Sequence, residues 1–232
     1  EHFSIWSLID KTKNQDIEKL FITASGGPFN NYSLKKFKSI TPKLALKHPS
    51  WKMGKKISID SATMMNKVFE VIEAKKIFDL DYDKLNILVH PKSYVHAIVK
   101  FKNGLTKFLY HEPDMAIPIA NAIFENNLDI GEVLTGTRKN LYIKNLNFLK
   151  ADKKRFPILN ILPKMNKYPS TPIIVNASNE ILIDSFLKKK ISFSSISAYL
   201  FKVFKSKNYK KYAIKTASNL KNIYNIDNWA RE

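Results

Sequence analysis

Between His48 and Glu73 the chain gathers His48, Trp51, Met53, Gly54-Lys55-Lys56, Ser61, Asn66, Lys67, Glu70 and Glu73. At about 100° per residue, a helix from about Ser61 to Asp79 sets Met64, Met65, Val68, Phe69, Val71 and Ile72 on one arc. Asn66, Lys67, Glu70 and Glu73 then fall on the opposite arc, so an amide, an ammonium and two carboxylates point the same way. Ser61 would stand at the helix N-terminus, where orphan N–H groups and the helix dipole favour an anion. Lys67 adds a full charge and Asn66 can donate from its amide. On pattern alone the same face reads first as a solvated one. Its Asn66–Glu70 and Lys67–Glu70 pairs would then be surface pairs of small energetic value. A lone Ser capping a helix is ordinarily structural. Trp51 and Met53 read either as a core anchor or, between His48-Pro49 and Gly54-Lys55-Lys56, as part of a glycine-hinged lid.

These residues need elements to carry them. Leu20–Ala24 reads as a buried strand entering the turn Ser25-Gly26-Gly27-Pro28, whose glycines let backbone approach a ligand closely. Ser33 and Thr41-Pro42 look like caps of two short helices, the second delivering His48. Residues 49–60 are expected to form a loop ahead of the Ser61–Asp79 helix. Asn86–His90, Val95–Phe101 and Leu105–His111 read as strands, the last two joined at Asn103-Gly104, a good hairpin turn. His90 and His96 read as structural or as support behind the site, and His111 as solvated. Residues 126–156 are irregular and linker-like. From Pro157 the pattern is helical: Pro157–Met165, Ala177–Lys190, Ser194–Lys205 and a segment after Asn208. The expected architecture is an α/β catalytic domain with a small mixed sheet (residues 1–125), a linker (126–156) and an all-α C-terminal helical domain (157–232).

Composition narrows the function classes. A chain of 232 residues can bury a sizeable core, and 44% hydrophobic with 25% charged residues suits a soluble globular protein. No apolar run approaches the ~20 residues of a membrane-spanning helix, so no membrane partner is expected. Without cysteine there is no disulfide framework, thiolate metal site or cysteine nucleophile. The net charge of +19 raises nucleic-acid binding, but only Arg138, Arg155 and Arg231 among 39 basic residues are arginine. Arginine makes the bidentate contacts of such recognition, and the lysines are scattered along the chain. No nucleic-acid partner is expected; the basic field would instead attract a phosphorylated substrate.

SGGPF at Ser25–Phe29, HPSWKMGKKISIDSATMMNK at His48–Lys67, Glu70, HP at His90, EPDM at Glu112 and NASNE at Asn176 occur in one order. Together they closely resemble the 1-deoxy-D-xylulose 5-phosphate reductoisomerase family, from Glu1 to about residue 200 and most densely over residues 22–74. The resemblance implies a divalent metal, Mg²⁺ or Mn²⁺, held by three carboxylates. Glu1 matches the Glu of an Asp-Ser-Glu triplet and Glu70 the downstream ligand. The Asp and Ser are expected to precede Glu1, in a longer protein from which this chain is a piece. Glu73 is expected to support the metal site from behind. The resemblance assigns the substrate's phosphate to Ser25, Ser61, Asn66 and Lys67, with His48 also touching substrate. It makes Trp51 and Met53 the lid and places Gly54 and Met115 beside the nicotinamide of NADPH. It implies reduction and isomerisation of a sugar phosphate by a homodimer, in a bacterial cytoplasm or a plastid stroma.

Two departures stand out. No Gly-x-Gly-x-x-Gly follows a strand, so the nucleotide-binding half is not expected here and the chain alone should neither hold NADPH tightly nor turn over. Val68 also stands where the family would have Gly; it lies on the apolar arc and should change packing only. An inactive sugar-phosphate-binding relative, a basic RNA-binding module and a dimer domain pairing by a sheet edge near residues 95–111 are the other readings.

Overall fold

The computed structural model describes residues 1–10, 12–47, 53–124, 128–133 and 146–232. His48 and Trp51 lie outside the described residues. In chain order the elements begin with helix α1 (His2–Ile9), strand β1 (Ile17–Ala24) and helices α2 (Pro42–Ala45), α3 (Lys55–Thr63) and α4 (Met65–Phe78). Strands β2 (Leu85–Val89), β3 (Val95–Phe101) and β4 (Thr106–Tyr110) follow, then helices α5 (Ala116–Phe124) and α6 (Ile130–Val133) and strand β5 (Leu149–Lys150). Helices α7 (Thr171–Leu187), α8 (Phe193–Val203), α9 (Tyr209–Ala213) and α10 (Leu220–Arg231) complete the chain.

These elements form two compact units, residues 1–25 with 73–151 and residues 26–72 with 152–232. The first holds a mixed five-stranded sheet in the order β4-β3-β1-β2-β5. β1 runs parallel to β2, with Leu20 opposite Leu85 and Ala24 opposite Val89, and antiparallel to β3. Central β1 buries Ile17, Leu20 and Ile22 completely, as its run of β-branched and aromatic residues demands. β3 and β4 close on the expected hairpin. Gly104 takes φ +89, a conformation that suits a residue without Cβ, and the Asn103 side chain accepts from Leu105 N–H at 3.0 Å. β4 is an edge strand and leaves Phe108 and neighbouring Leu105 exposed.

The second unit is built around α7, which packs on α8 and α10 and touches α3. Ile174, Val175, Ile183 and Phe186 of α7 are buried together with Ile196 and Leu200 of α8 and Ile226 of α10. Phe29, Phe37, Phe186 and Phe193 add an edge-packed aromatic cluster, with ring centroids 5.1–6.2 Å apart. Arg155 ties the turn after SGGPF to this unit: its guanidinium donates to the carbonyls of Phe29, at 3.0 Å, and Tyr32.

The mixed sheet and the all-helical region after Pro157 match expectation. Three details differ. The expected linker 126–156 contains α6 and β5; two residues of β5 leave too short an alternation to read. Residues 26–72 join 152–232 in one compact unit, because buried polar and aromatic contacts between distant segments are invisible to local periodicity. The helix expected from Ser61 to Asp79 is two helices, and residues 55–60 of the expected loop are helical.

Candidate active site

The break between α3 and α4 shapes the site. Met64 ends α3 in the left-handed conformation, φ 67 and ψ 11, which an L-residue adopts at a cost of about 1–2 kcal/mol. Local bonds hold it there. Thr63 Oγ1 donates to the Ile59 carbonyl at 3.0 Å and accepts from Met65 N–H at 3.3 Å, while Met64 is 2% exposed. Ser61 is therefore in the last turn of α3 and not at a helix N-terminus, which corrects the expectation. Its side chain is half-buried, and among the described residues its hydroxyl makes no hydrogen bond. The helix N-terminus nearest in sequence after Ser61 is that of α4, and Asn66 and Lys67 stand in its first turn.

The polar arc of α4 is not a solvated face. Lys67 and Glu70 are 7% and 8% exposed, and Lys67 Nζ donates to Glu70 Oε2 at 2.7 Å. Asn66 Nδ2 donates to the other carboxylate oxygen at 2.5 Å. A buried charge is retained only with partners, and here a carboxylate is held at both oxygens by neighbours three and four residues away. Glu73 is exposed and instead meets His2 Nε2 at 3.4 Å.

The Gly26-Gly27 turn packs against the same region. Gly27 takes φ +62, and a Cβ there would stand 2.8 Å from the Ser61 carbonyl oxygen. The glycine thus allows close approach to α3, where the sequence suggested approach to a ligand. Behind Ser61 lies a second buried carboxylate. Asp60, 1% exposed, accepts from Asn179 Nδ2 at 2.8 Å and pairs with Lys56 Nζ at 2.7 Å. Burial raises the Asp60 pKa above its ordinary value, against the bonds from Lys56 and Asn179. Sequence patterning singled out neither Asp60 nor Asn179, although both stand inside recognised motifs. Only the fold reveals that residues 119 positions apart share a hydrogen bond.

Other expected residues are placed as follows. Gly54 precedes α3, is exposed, and has open space where a side chain would be. Met53 is half-buried. Met115, ahead of α5, is 56% exposed. In the first unit Ser25 is half-buried after β1, and Glu1 caps α1, its carbonyl accepting from Ile5 N–H at 3.0 Å. Among the described residues no three His, Cys, Asp or Glu side chains come together to hold a metal. Glu1 lies in the first unit and Glu70 in the second. Each is a carboxylate, the kind of oxygen donor that a hard divalent ion takes.

His90 is 1% exposed, packs at a tilt against Phe148 and turns Nδ1 to the Asn147 carbonyl at 2.8 Å. His111 is not solvated. It stacks on His96 with ring centroids 3.9 Å apart, and burial lowers the pKa of both, that of His96 to about 4.

Comparison with known proteins places the chain in a family. Residues 1–78 match the family model of the 1-deoxy-D-xylulose 5-phosphate reductoisomerase C-terminal domain, and residues 111–232 that of the DXP reductoisomerase C-terminal domain. The chain is 51% identical to the 1-deoxy-D-xylulose 5-phosphate reductoisomerase of Pelagibacter ubique, over 99% of its own length and 59% of that protein. The enzyme of Persephonella marina is 42% identical over 91% of the chain and 56% of the relative. The chain therefore spans a little under three fifths of the relatives it matches. A solved DOX-P reductoisomerase in complex with NADPH, fosmidomycin and magnesium superposes with TM-score 0.87 at 32% identity, over 99% of this chain and 60% of that one. The Zymomonas mobilis enzyme in complex with NADPH gives 0.82 at 34% identity, over 100% and 58%. With more than half of its residues matched by one of these models, the chain belongs to the DXP reductoisomerase C-terminal domain family.

Proposed function

We propose that this chain is the catalytic and C-terminal portion of an NADPH- and divalent-metal-dependent reductoisomerase. That enzyme converts 1-deoxy-D-xylulose 5-phosphate to 2-C-methyl-D-erythritol 4-phosphate in non-mevalonate isoprenoid biosynthesis, in a bacterial cytoplasm. The observation that carries this reading is the buried Lys67–Glu70 pair with Asn66 at the start of α4, and half-buried Ser61 in the last turn of α3. A fixed ammonium, an amide and a hydroxyl match the oxygens of a phosphate.

Ser25, Ser61, Asn66 and Lys67 would hold the phosphate and so orient the sugar. Glu70 and Glu1 would hold Mg²⁺ or Mn²⁺, which supplies Lewis-acid polarisation of the sugar's carbonyl and hydroxyl. NADPH supplies the hydride, with Gly54 and Met115 beside its nicotinamide. Gly54, with no side chain and no neighbour within 4 Å of a Cβ position among the described residues, leaves room for a flat ring. His48, Trp51 and Met53 would touch and cover the substrate, keeping water out. The exposed β4 edge supports assembly as a homodimer, since an unpaired strand edge is a template for a second chain.

In the complete enzyme, a chelator should abolish activity and Mg²⁺ or Mn²⁺ restore it. Lys67→Ala should raise KM for the sugar phosphate about ten- to hundredfold, the loss of one charged hydrogen bond, with KM for NADPH unchanged. A rise confined to the NADPH KM would contradict the assignment.

A further inference from the structure

The Asp60–Asn179 contact does more than the fold requires. A buried carboxylate pays desolvation that its partners repay only in part, and apolar residues of similar volume generally serve stability as well or better. A polar pair of this kind fixes orientation instead, because one hydrogen bond admits one rotation of the helix that carries it. Asn179 is fully buried in α7, and its Nδ2 reaches the Asp60 carboxylate on α3. Its other polar atom, Oδ1, is buried with no partner among the described residues. Lys56, one turn before Asp60, closes the second carboxylate oxygen and lies 4.6 Å over the Phe69 ring of α4.

What this contact fixes is the last turn of α3. Ser61 follows Asp60 directly. The left-handed Met64 three residues later converts the rotation of α3 into the direction of α4, and with it the positions of Asn66 and Lys67. Gly27 also lies against the Ser61 carbonyl, where a Cβ would come within 2.8 Å. The end of α3 is thus gripped between a glycine turn and a buried amide.

We propose that Asp60 and Asn179 form a positioning pair that orients Ser61 and the start of α4 toward the phosphate of the substrate. The inference rests on the phosphate reading of Ser61, Asn66 and Lys67 and names the device that sets their geometry. Neither residue touches substrate.

Steady-state kinetics of the complete enzyme test it with Asn179→Leu, which keeps the branched skeleton and removes the hydrogen bond, and Asp60→Asn, which can donate to the orphaned Asn179 Oδ1. Asn179→Leu should raise KM for the sugar phosphate about tenfold or more, in the range of outer-shell losses. KM for NADPH should stay at the parent value, and inorganic phosphate should lose potency as a competitor by a similar factor. Asp60→Asn should keep KM near the parent. Should Asn179→Leu fail to fold, Asn179→Ala gives the same measurement. An unchanged sugar-phosphate KM in the Asn179 variant, while Lys67→Ala raises it, would overturn this proposal alone. Equal loss in both KM values and in thermal stability would reduce the pair to scaffold. A Lys67→Ala enzyme with unaltered KM would remove the phosphate reading and this proposal with it.

Discussion

At the scale of single residues, the proposed chemistry turns on a carboxylate held by partners inside the protein. Glu70 is held by Lys67 and Asn66 from its own helix, so the pair is local and its spacing was readable at 100° per residue. Its burial was not, because that depends on what packs over the polar arc. The difference matters energetically. A solvated pair at this spacing is worth a few tenths of a kcal/mol, whereas taking the ammonium from a buried carboxylate costs about 3 kcal/mol. Lys67→Met, which keeps the stem, should lower unfolding free energy by about that amount in urea titrations. A change of only a few tenths would return the pair to the surface. Asp60 and Asn179 lie at the other extreme of legibility: each is a common residue in a polar stretch, and only tertiary structure joins them.

At the scale of elements, the strands and their hairpin followed from β-branched runs and Asn-Gly, while the α3–α4 junction did not. SATMMNK contains no glycine or proline to mark a break, and the apolar arc runs smoothly through it. The turn is set by Thr63 and by burial of Met64, both tertiary facts. Met64→Gly therefore tests which effect dominates. It relieves about 1–2 kcal/mol of left-handed strain but forfeits a buried side chain worth roughly 2–5 kcal/mol. The net result should be destabilisation of about 2 kcal/mol, read as a lower midpoint of thermal unfolding; a more stable variant would show that strain dominates. In β3 and the segment after β4, the stacked His96 and His111 carry a pH signature. Both have folded pKa values below the ordinary 6.5, that of His96 about 4. The unfolded chain then takes up protons first, so stability is full above 6.5 and is lost as pH falls through about 4. Replacing both by Gln should flatten the dependence of Tm on pH in that window, and an unaltered slope would show that other groups govern it.

At the scale of the whole molecule, the mixed sheet and the helical C-terminal region were legible because each has its own periodicity. The grouping of residues 26–72 with 152–232 was not, since it rests on the aromatic cluster and on Arg155 reaching back to Phe29 and Tyr32. Among so many lysines, the arginines of the described residues stand where a planar fork is needed. Arg155 spans two carbonyls, and Arg231 of α10 bonds Asp227 and Glu180. At this scale the proposed role of the buried carboxylate on α4 is in a metal-dependent reduction of a sugar phosphate by the complete enzyme. Glu70→Gln preserves shape and the capacity to hydrogen-bond while removing the charge. The most direct measurement is consumption of NADPH, followed by its ultraviolet absorbance, in the complete Glu70→Gln enzyme with 1-deoxy-D-xylulose 5-phosphate and Mg²⁺ in excess. The predicted result is a folded enzyme that binds NADPH and consumes none of it; turnover at the parent rate would contradict the account.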